Sequence, residues 1–261
     1  RLGGDFGNIN TMGMIIGTST LFAFSFTIFD KKYSYIIPII PMAITVLLTG
    51  SRKALLYVVG GMILIYFFKN RKKLTSMIRF ALVMVVILGL TYYLIINVPF
   101  FYAVVGKRML LFFSFLGGGS TDHSTLVRSH MATFGMDLFY QRPFFGYGLD
   151  NYRFYLFEDV GRLMYSHNNY IELLVGVGLV GTITYIMTHL VVLKNMFNII
   201  WEEDDLNILY VFIVIILLYL VLGSTFVYYD SKHFGLILAI SSVIERSYRR
   251  DKEVELIDEE T

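Results

Sequence analysis

Long apolar runs with very few charges, separated by short basic clusters, make up most of the chain. Seven of the runs approach the length of about 20 residues that an α-helix needs to cross the hydrocarbon core of a bilayer. The third and the seventh are the shortest. The runs lie at residues 12–29, 33–48, 54–68, 77–98, 168–193, 206–222 and 233–244. We therefore predict an all-α, polytopic membrane protein with about seven transmembrane helices.

A long polar segment, residues 99–167, separates the fourth apolar run from the fifth. Within it, Asp122 follows a glycine-rich stretch and is a candidate N-cap for a helix at residues 124–140. After this helix, Gly146 and Gly148 predict a turn that needs the backbone freedom of glycine. We expect an amphipathic helix that lies on the bundle. Its apolar stripe consists of Met131, Phe134, Leu138 and Phe139.

Composition supports the membrane assignment and excludes several kinds of site. Of the 261 residues, 56% are hydrophobic and 16% are charged, and the mean hydropathy is +0.64, far above that of a soluble domain. The chain has no cysteine, which excludes disulfides, thiolate metal sites and a cysteine nucleophile. The net charge of +2 gives no indication of nucleic-acid binding.

The short basic clusters all fall on one side of the membrane if the predicted helices alternate in direction. These clusters lie at residues 31–32, 69–73, 194 and 246–252. Because positive residues in short loops favour the cytoplasm, we predict that this side is cytoplasmic. The chain then divides into membrane helices at 1–98, an external loop at 99–167, membrane helices at 168–245 and a cytoplasmic tail at 246–261.

The first residue, Arg1, is not an initiator methionine, and no signal peptide is visible before the first apolar run. We therefore expect a fragment that further helices precede.

Two arginines are candidates for binding an anionic substrate. Arg52 and the neighbouring Lys53 lie in a short external loop, against the charge distribution of the other short loops. Arg128 lies in the first turns of the predicted helix at residues 124–140. The alternative for Arg52 is a side chain that snorkels to lipid phosphates, and for Arg128 it is a solvated surface side chain.

His167 lies where the polar segment meets the fifth apolar run, flanked by Ser166, Asn168 and Asn169. Polar groups at the start of a membrane helix need partners. Histidine ordinarily titrates near neutrality, as a general base must, although a helix-capping or interface histidine is the alternative. Three glycines further along the run are interpreted as close-packing small residues in the membrane. They are Gly176, Gly178 and Gly181.

Several of these motifs resemble the O-antigen ligase and polysaccharide polymerase superfamily. The block Ser-His-Asn-Asn-Tyr-Ile-Glu-Leu-Leu at residues 166–174, followed by Gly-Leu-Val-Gly at 178–181, carries most of the resemblance. The chain departs from the family at Gly176, where many members have an acidic residue. The other matching motifs are Gly50-Ser51-Arg52, Arg128 ahead of Pro-Phe-Phe-Gly-Tyr-Gly at 143–148, and Arg1-Leu2-Gly3-Gly4 with Asn8 and Asn10.

The resemblance implies an enzyme that polymerises or transfers glycans carried on undecaprenyl pyrophosphate. It would act at the outer face of the bacterial cytoplasmic (inner) membrane, without a metal or another cofactor. Carried over residue by residue, Arg52 and Arg128 would bind the lipid-linked pyrophosphate, and His167 would activate the acceptor hydroxyl. Further substrate contacts are predicted for Lys53, Tyr147, Asn168, Asn169 and Tyr170.

The richness in Ile, Tyr, Phe and Lys favours a polymerase of capsule or O-antigen repeat units. A ligase that moves finished glycan to lipid A core or protein is the alternative within the class. A transporter or flippase for lipid-linked oligosaccharide is the alternative from another class. The predicted partners are an undecaprenyl-pyrophosphate-linked oligosaccharide donor, a glycan acceptor, membrane lipid and a chain-length regulator, with no nucleic acid.

Overall fold

The computed structural model describes residues 9–71, 73–99, 102, 106, 123–202 and 207–260. The upstream element at residues 1–8 and the glycine-rich stretch that ends at Asp122 lie outside the described residues. Within the described part the chain forms helices and no β-strand, as an all-α fold requires. It divides into two compact units, Arg1–His123 and Ser124–Thr261, and each is described by itself.

The first unit contains four α-helices. They are α1 (Ile9–Ile28), α2 (Ile36–Thr49), α3 (Arg52–Asn70) and α4 (Leu74–Asn97), with a short 3₁₀ turn at Tyr33–Tyr35 before α2. The second unit contains α5 (His123–Gln141), which starts at the boundary, and then α6 (Tyr152–Val160), α7 (Asn169–Glu202), α8 (Asn207–Leu222) and α9 (Lys232–Glu260).

Four helices in the described residues are long and apolar enough to cross a membrane. They are Ile9–Ile28, Arg52–Asn70, Leu74–Leu94 and Asn169–Trp201. They match the first, third, fourth and fifth predicted runs. The second and sixth runs form shorter apolar helices, Tyr33–Thr49 and Asn207–Leu222. The structure therefore supports a membrane protein with four candidate spans, and the count of about seven stays a prediction.

The seventh predicted run belongs to α9, a 29-residue helix that is not among these four spans. The helix continues beyond residue 244 through most of the predicted tail, 246–261. The residues after the apolar part include Arg, Lys and Glu, and all three residue types favour helix. The helix therefore continues although the sequence is no longer apolar.

Glycines on α1 and α3 allow the first unit to pack closely. A Cβ atom added to Gly13 would lie 2.7 Å from Ala54 Cβ, and one added to Gly61 would lie 2.5 Å from Leu21 Cδ1. Without side chains at these positions, the two helix backbones can approach each other, which is a common means of association in membranes.

In the second unit, α5 and α6 pack on the beginning of α7 around a shared apolar core. The Tyr152 hydroxyl on α6 donates a hydrogen bond to the Met131 carbonyl on α5 over 2.7 Å. The helix predicted at residues 124–140 is therefore present, and its predicted stripe contributes to the core through Met131, Leu138 and Phe134. The buried members of the core are Met131, Leu138, Tyr152, Leu156, Ile171 and Val175.

Candidate functional site

The turn before α3 places Arg52 at the first position of that helix. Gly50 ends α2 with a φ of 64°, a left-handed conformation that favours glycine. Ser51 is the N-cap of α3: its Oγ accepts a hydrogen bond from Ala54 N over 3.3 Å and donates one to Asn10 Oδ1 over 2.7 Å. Arg52 follows with its side chain half-buried, as does the next residue, Lys53.

Ser166 holds together the turn that leads into α7. Its amide donates a hydrogen bond to Glu172 Oε1 over 2.6 Å. Its hydroxyl donates to the Asn168 carbonyl over 2.8 Å and accepts from the Asn168 amide over 3.1 Å. Because Ser166 is buried, these bonds are shielded from water and fix the backbone on both sides of His167.

His167 occupies a backbone conformation that is uncommon for its residue type. Its φ is 59°, in the left-handed region, and its side chain is half-buried. The ring lies 4.5 Å from the Tyr165 ring, centroid to centroid. Non-glycine residues held in such conformations occur preferentially at functional sites, where surrounding contacts impose them. Here the hydrogen bonds of Ser166 hold His167 in this conformation.

The side chains of the two asparagines after His167 accept hydrogen bonds from backbone amides. Asn168 is the N-cap of α7: its Oδ1 accepts hydrogen bonds from Tyr170 N over 2.9 Å and Ile171 N over 3.2 Å. Asn169 has an exposed fraction of 0%, and its Oδ1 accepts bonds from the amides of Tyr228 and Tyr229 at 2.9 and 2.8 Å.

Asn169 therefore holds the loop after α8 against the start of α7 through its Oδ1. The Tyr170 hydroxyl donates to the carbonyl of Leu220, so Tyr170 also ties α7 to α8. The substrate contacts predicted for Asn168, Asn169 and Tyr170 stay predictions.

Helix α7 is interrupted at its tenth residue. Gly178 has a φ of 66° and a ψ of −168°, which is not helical, so neighbouring peptide groups lose their partners within the helix. The segment at residues 143–148, which follows α5, supplies replacements. Its backbone hydrogen bonds run from Tyr147 N to Val175 O (2.8 Å), Gly148 N to Gly176 O (2.7 Å), Leu179 N to Pro143 O (2.7 Å) and Val180 N to Phe144 O (3.3 Å).

Tyr147, a predicted substrate contact, is therefore fixed to α7 through its own backbone. Its hydroxyl donates to Gln141 Oε1 over 3.1 Å, and its ring packs against the Tyr155 ring at 4.8 Å. The guanidinium of Arg142 lies over the ring, 4.7 Å from its centroid. Arg142 therefore places a cation against the ring of Tyr147, a contact that the sequence did not indicate.

Tyr229, in the connection between α8 and α9, is affected by three nearby carboxyl groups. Burial raises the pKa of Tyr229 to about 12, and the carboxylates of Glu172, Asp150 and Asp230 add to the rise. The hydroxyl is therefore protonated near neutral pH and can donate a hydrogen bond. Tyr229 lies beside the turn that holds His167, because its amide donates a hydrogen bond to Asn169 Oδ1.

The structure brings some of the predicted site residues together. Tyr147, His167, Asn168, Asn169 and Tyr170 are linked to the first part of α7 by the contacts above. Arg128 belongs to the same unit and lies, half-buried, near the start of α5, whereas Arg52 and Lys53 belong to the first unit. Within the described residues no group of three His, Asp or Glu side chains is arranged to hold a metal ion.

Glu172 is a site residue to which we assigned no role from the sequence. Its side chain is buried and receives the Ser166 amide, six residues earlier in the chain. An acidic residue in the first turn of an apolar helix was the available signal, because ionisable groups in membrane helices are costly and usually functional.

A family model described as O-antigen ligase matches residues 37–186, more than half of the chain. The chain belongs to the O-antigen ligase family. The match runs from α2 into α7 and includes Arg52, Arg128 and His167, so the resemblance first seen in short motifs extends over the intervening helices. Membership implies a membrane protein of ligase or polymerase type that uses lipid-linked glycan and an acceptor. The comparison with curated proteins found no match.

Proposed function

We propose that this O-antigen ligase family member is a membrane glycosyltransferase that polymerises undecaprenyl-pyrophosphate-linked repeat units into capsule or O-antigen polysaccharide. The reaction takes place at the outer face of the bacterial cytoplasmic membrane. The observation that carries the proposal is the conformation of His167, held in the left-handed region by the hydrogen bonds of Ser166 at the start of a membrane helix.

In the proposed reaction, His167 accepts the proton of the acceptor sugar hydroxyl as that oxygen attacks the anomeric carbon of the donor. The new glycosidic C–O bond forms while the C–O bond to the pyrophosphate breaks. The electron pair of the broken bond leaves with undecaprenyl pyrophosphate, and direct displacement inverts the anomeric configuration. No step of this reaction requires a metal.

Arg52 and Arg128 are proposed to bind the pyrophosphate of the donor. The leaving group carries most of the charge that develops, so fixed cations stabilise the transition state directly. A guanidinium group suits this role because its planar array of donors matches two phosphate oxygens at once. Lys53 offers a further cation next to Arg52.

The groups near His167 support an acceptor role for this part of the second unit. The Tyr229 hydroxyl stays protonated near neutral pH, because burial raises its pKa to about 12. The protonated hydroxyl of Tyr229 and the imidazole of His167 are groups that bind and deprotonate hydroxyls, respectively.

Transfer of finished glycan to lipid A core or protein is the second candidate, favoured by the ligase description of the matching family model. The glycan profile of a deletion strain distinguishes the two, with the full gene as the complementing control. A polymerase predicts single-repeat products in the deletion strain, whereas a ligase predicts long chains that stay on the lipid carrier. A normal glycan profile in the deletion strain would contradict both candidates.

A further inference from the structure

The interruption of α7 lies within the apolar part of that helix. Residues 173–193 contain no Asp, Glu, Lys or Arg, and these 21 residues span about 31 Å as a helix, close to the thickness of a bilayer core. Gly178 comes five residues after the start of this run, which corresponds to a depth of about 8 Å. The break in α7 therefore lies inside the hydrocarbon region.

The segment at residues 143–148 must lie at the same depth, because its backbone is hydrogen-bonded to both sides of the break. A Cβ atom on Gly178 would come within 2.3 Å of the Phe144 carbonyl carbon, so the two backbones are in direct contact. Irregular backbone at this depth is tolerated only where protein satisfies its polar groups, and the four bonds to α7 do so. Pro143 has no amide hydrogen to satisfy.

The side chains at the tip of this segment are apolar and uncovered. Phe144 is 62% exposed and Phe145 is 78% exposed. On α7, Leu179, Val180 and Ile183 are also exposed. The Phe144 carbonyl accepts the Val180 amide, so the two phenylalanines lie level with the exposed apolar residues of a membrane-spanning helix.

From this geometry we infer that residues 143–148 form a re-entrant element, and that Phe144 and Phe145 contact the acyl chains of bilayer lipid. The depth of Gly178 identifies lipid as the partner, since the exposed side chains of a helix at that level face hydrocarbon. The predicted external loop, 99–167, would then dip into the membrane once, directly after α5. This inference is independent of the catalytic roles proposed for His167 and the arginines.

Tryptophan fluorescence tests the position of the turn. In a tryptophan-free background that includes Trp201→Phe, the Phe145→Trp protein is reconstituted in phosphatidylcholine nanodiscs. Lipids brominated on their acyl chains should quench Phe145→Trp as strongly as Ile183→Trp, the reference on the exposed surface of α7. Leu163→Trp, in the exposed connection between α6 and α7, is the control that aqueous acrylamide should quench instead.

Cysteine labelling gives a second measurement, because the chain has no cysteine of its own. A water-soluble maleimide should label Glu158→Cys, on the exposed surface of α6, and leave Phe145→Cys largely unmodified in nanodiscs. Quenching of Phe145→Trp by acrylamide, or labelling of Phe145→Cys at the rate of Glu158→Cys, would overturn the inference. Protection from both quenchers would also overturn it, since a protein segment would then cover the turn.

Discussion

The amide of Gly148 donates a hydrogen bond to the carbonyl oxygen of Gly176 over 2.7 Å, which joins the segment after α5 to the interior of α7. A Cβ atom on Gly176 would lie 3.3 Å from the Gly148 carbonyl oxygen. We interpreted Gly176, Gly178 and Gly181 as close-packing small residues in the membrane. For Gly176 and Gly178 the close packing is present, and the segment after α5, at residues 144–149, occupies the space beside them.

Gly178→Ala should destabilise the protein strongly. The combination of φ 66° and ψ −168° is accessible almost only to glycine, and forcing another residue into such a conformation costs about 1–3 kcal/mol. The added Cβ would also meet the Phe144 backbone at 2.3 Å. We expect a lower apparent melting temperature in detergent and faster proteolysis after α5.

The matched control for this change is Gly235→Ala, in α9. No atom lies within 4 Å of a Cβ at that position, and alanine favours a helix over glycine by about 0.5–1 kcal/mol. The control should melt at the same temperature as the wild type or higher. Equal melting temperatures for the two variants would contradict the assigned role of Gly178.

Helix positions could be predicted from the sequence because the length of an apolar run is a local property. The helix at residues 124–140 followed from a candidate N-cap and an apolar stripe, and Met131 and Leu138 of that stripe are buried. The break at Gly178 could not be predicted in this way, because its hydrogen-bond partners are about thirty residues earlier in the chain.

In the candidate site, too, local features could be predicted from the sequence, whereas contacts between distant residues could not. Ser51 as the N-cap of α3 is a local feature of the Gly-Ser-Arg turn, and the polar block around His167 was visible as a cluster. The hydrogen bonds from the Tyr228 and Tyr229 amides to Asn169 could not be predicted, because that loop lies sixty residues away. Residue type indicates what a side chain can bind, whereas the fold selects the partner.

His167→Asn should remove most transfer activity and leave the fold intact. Asparagine tolerates the left-handed conformation seen at φ 59°, so the turn should keep its shape while the general base is lost. The expected loss in initial rate is on the order of 10² to 10⁴. The measurement is transfer from an undecaprenyl-pyrophosphate-linked oligosaccharide in nanodiscs at matched protein amounts.

His130→Asn is the control for this experiment, since His130 lies on α5 with an exposed side chain, away from the turn that holds His167. It should transfer at the wild-type rate. Wild-type rates in both variants would leave His167 with a structural role only, and the proposed general base would have to be another group.

Two changes at Asn168 separate helix capping from substrate binding. Asn168→Ala removes the Oδ1 that caps α7 and should cost about 1 kcal/mol of stability. Asn168→Asp keeps the oxygen acceptor but lacks the amide donor. If the amide binds substrate, the Asp variant should show a raised KM at an unchanged melting temperature. An Asp variant with wild-type kinetics would limit Asn168 to the cap.

Glu172 is expected to act on catalysis through the turn. Glu172→Leu leaves the buried Ser166 amide without an acceptor, at a cost of about 1–3 kcal/mol, and frees the backbone around His167. Glu172→Gln retains an oxygen acceptor of similar reach. We expect kcat to fall sharply in the Leu variant and to recover substantially in the Gln variant. Equal kcat values in the two variants would show that this hydrogen bond does not position His167.

The last prediction concerns the kind of contact that Arg52 makes. A cation that only snorkels to lipid phosphate is replaced by lysine without loss, because both side chains reach the interface on long stems. A guanidinium that binds pyrophosphate through two parallel hydrogen bonds cannot be replaced by lysine without loss, because lysine presents a single point charge. We therefore expect Arg52→Lys, and separately Arg128→Lys, to reduce the transfer rate by about 10²-fold or more.

The control for both arginines is Arg162→Lys, at an exposed position between α6 and α7. Arg153 is less suitable because it forms an ion pair with Asp150. If Arg52 and Arg128 act on one pyrophosphate, the double substitution should cost less free energy of activation than the sum of the single ones. Full activity of Arg52→Lys, beside a silent Arg162→Lys, would exclude the two-pronged contact and leave Arg52 as an interfacial cation.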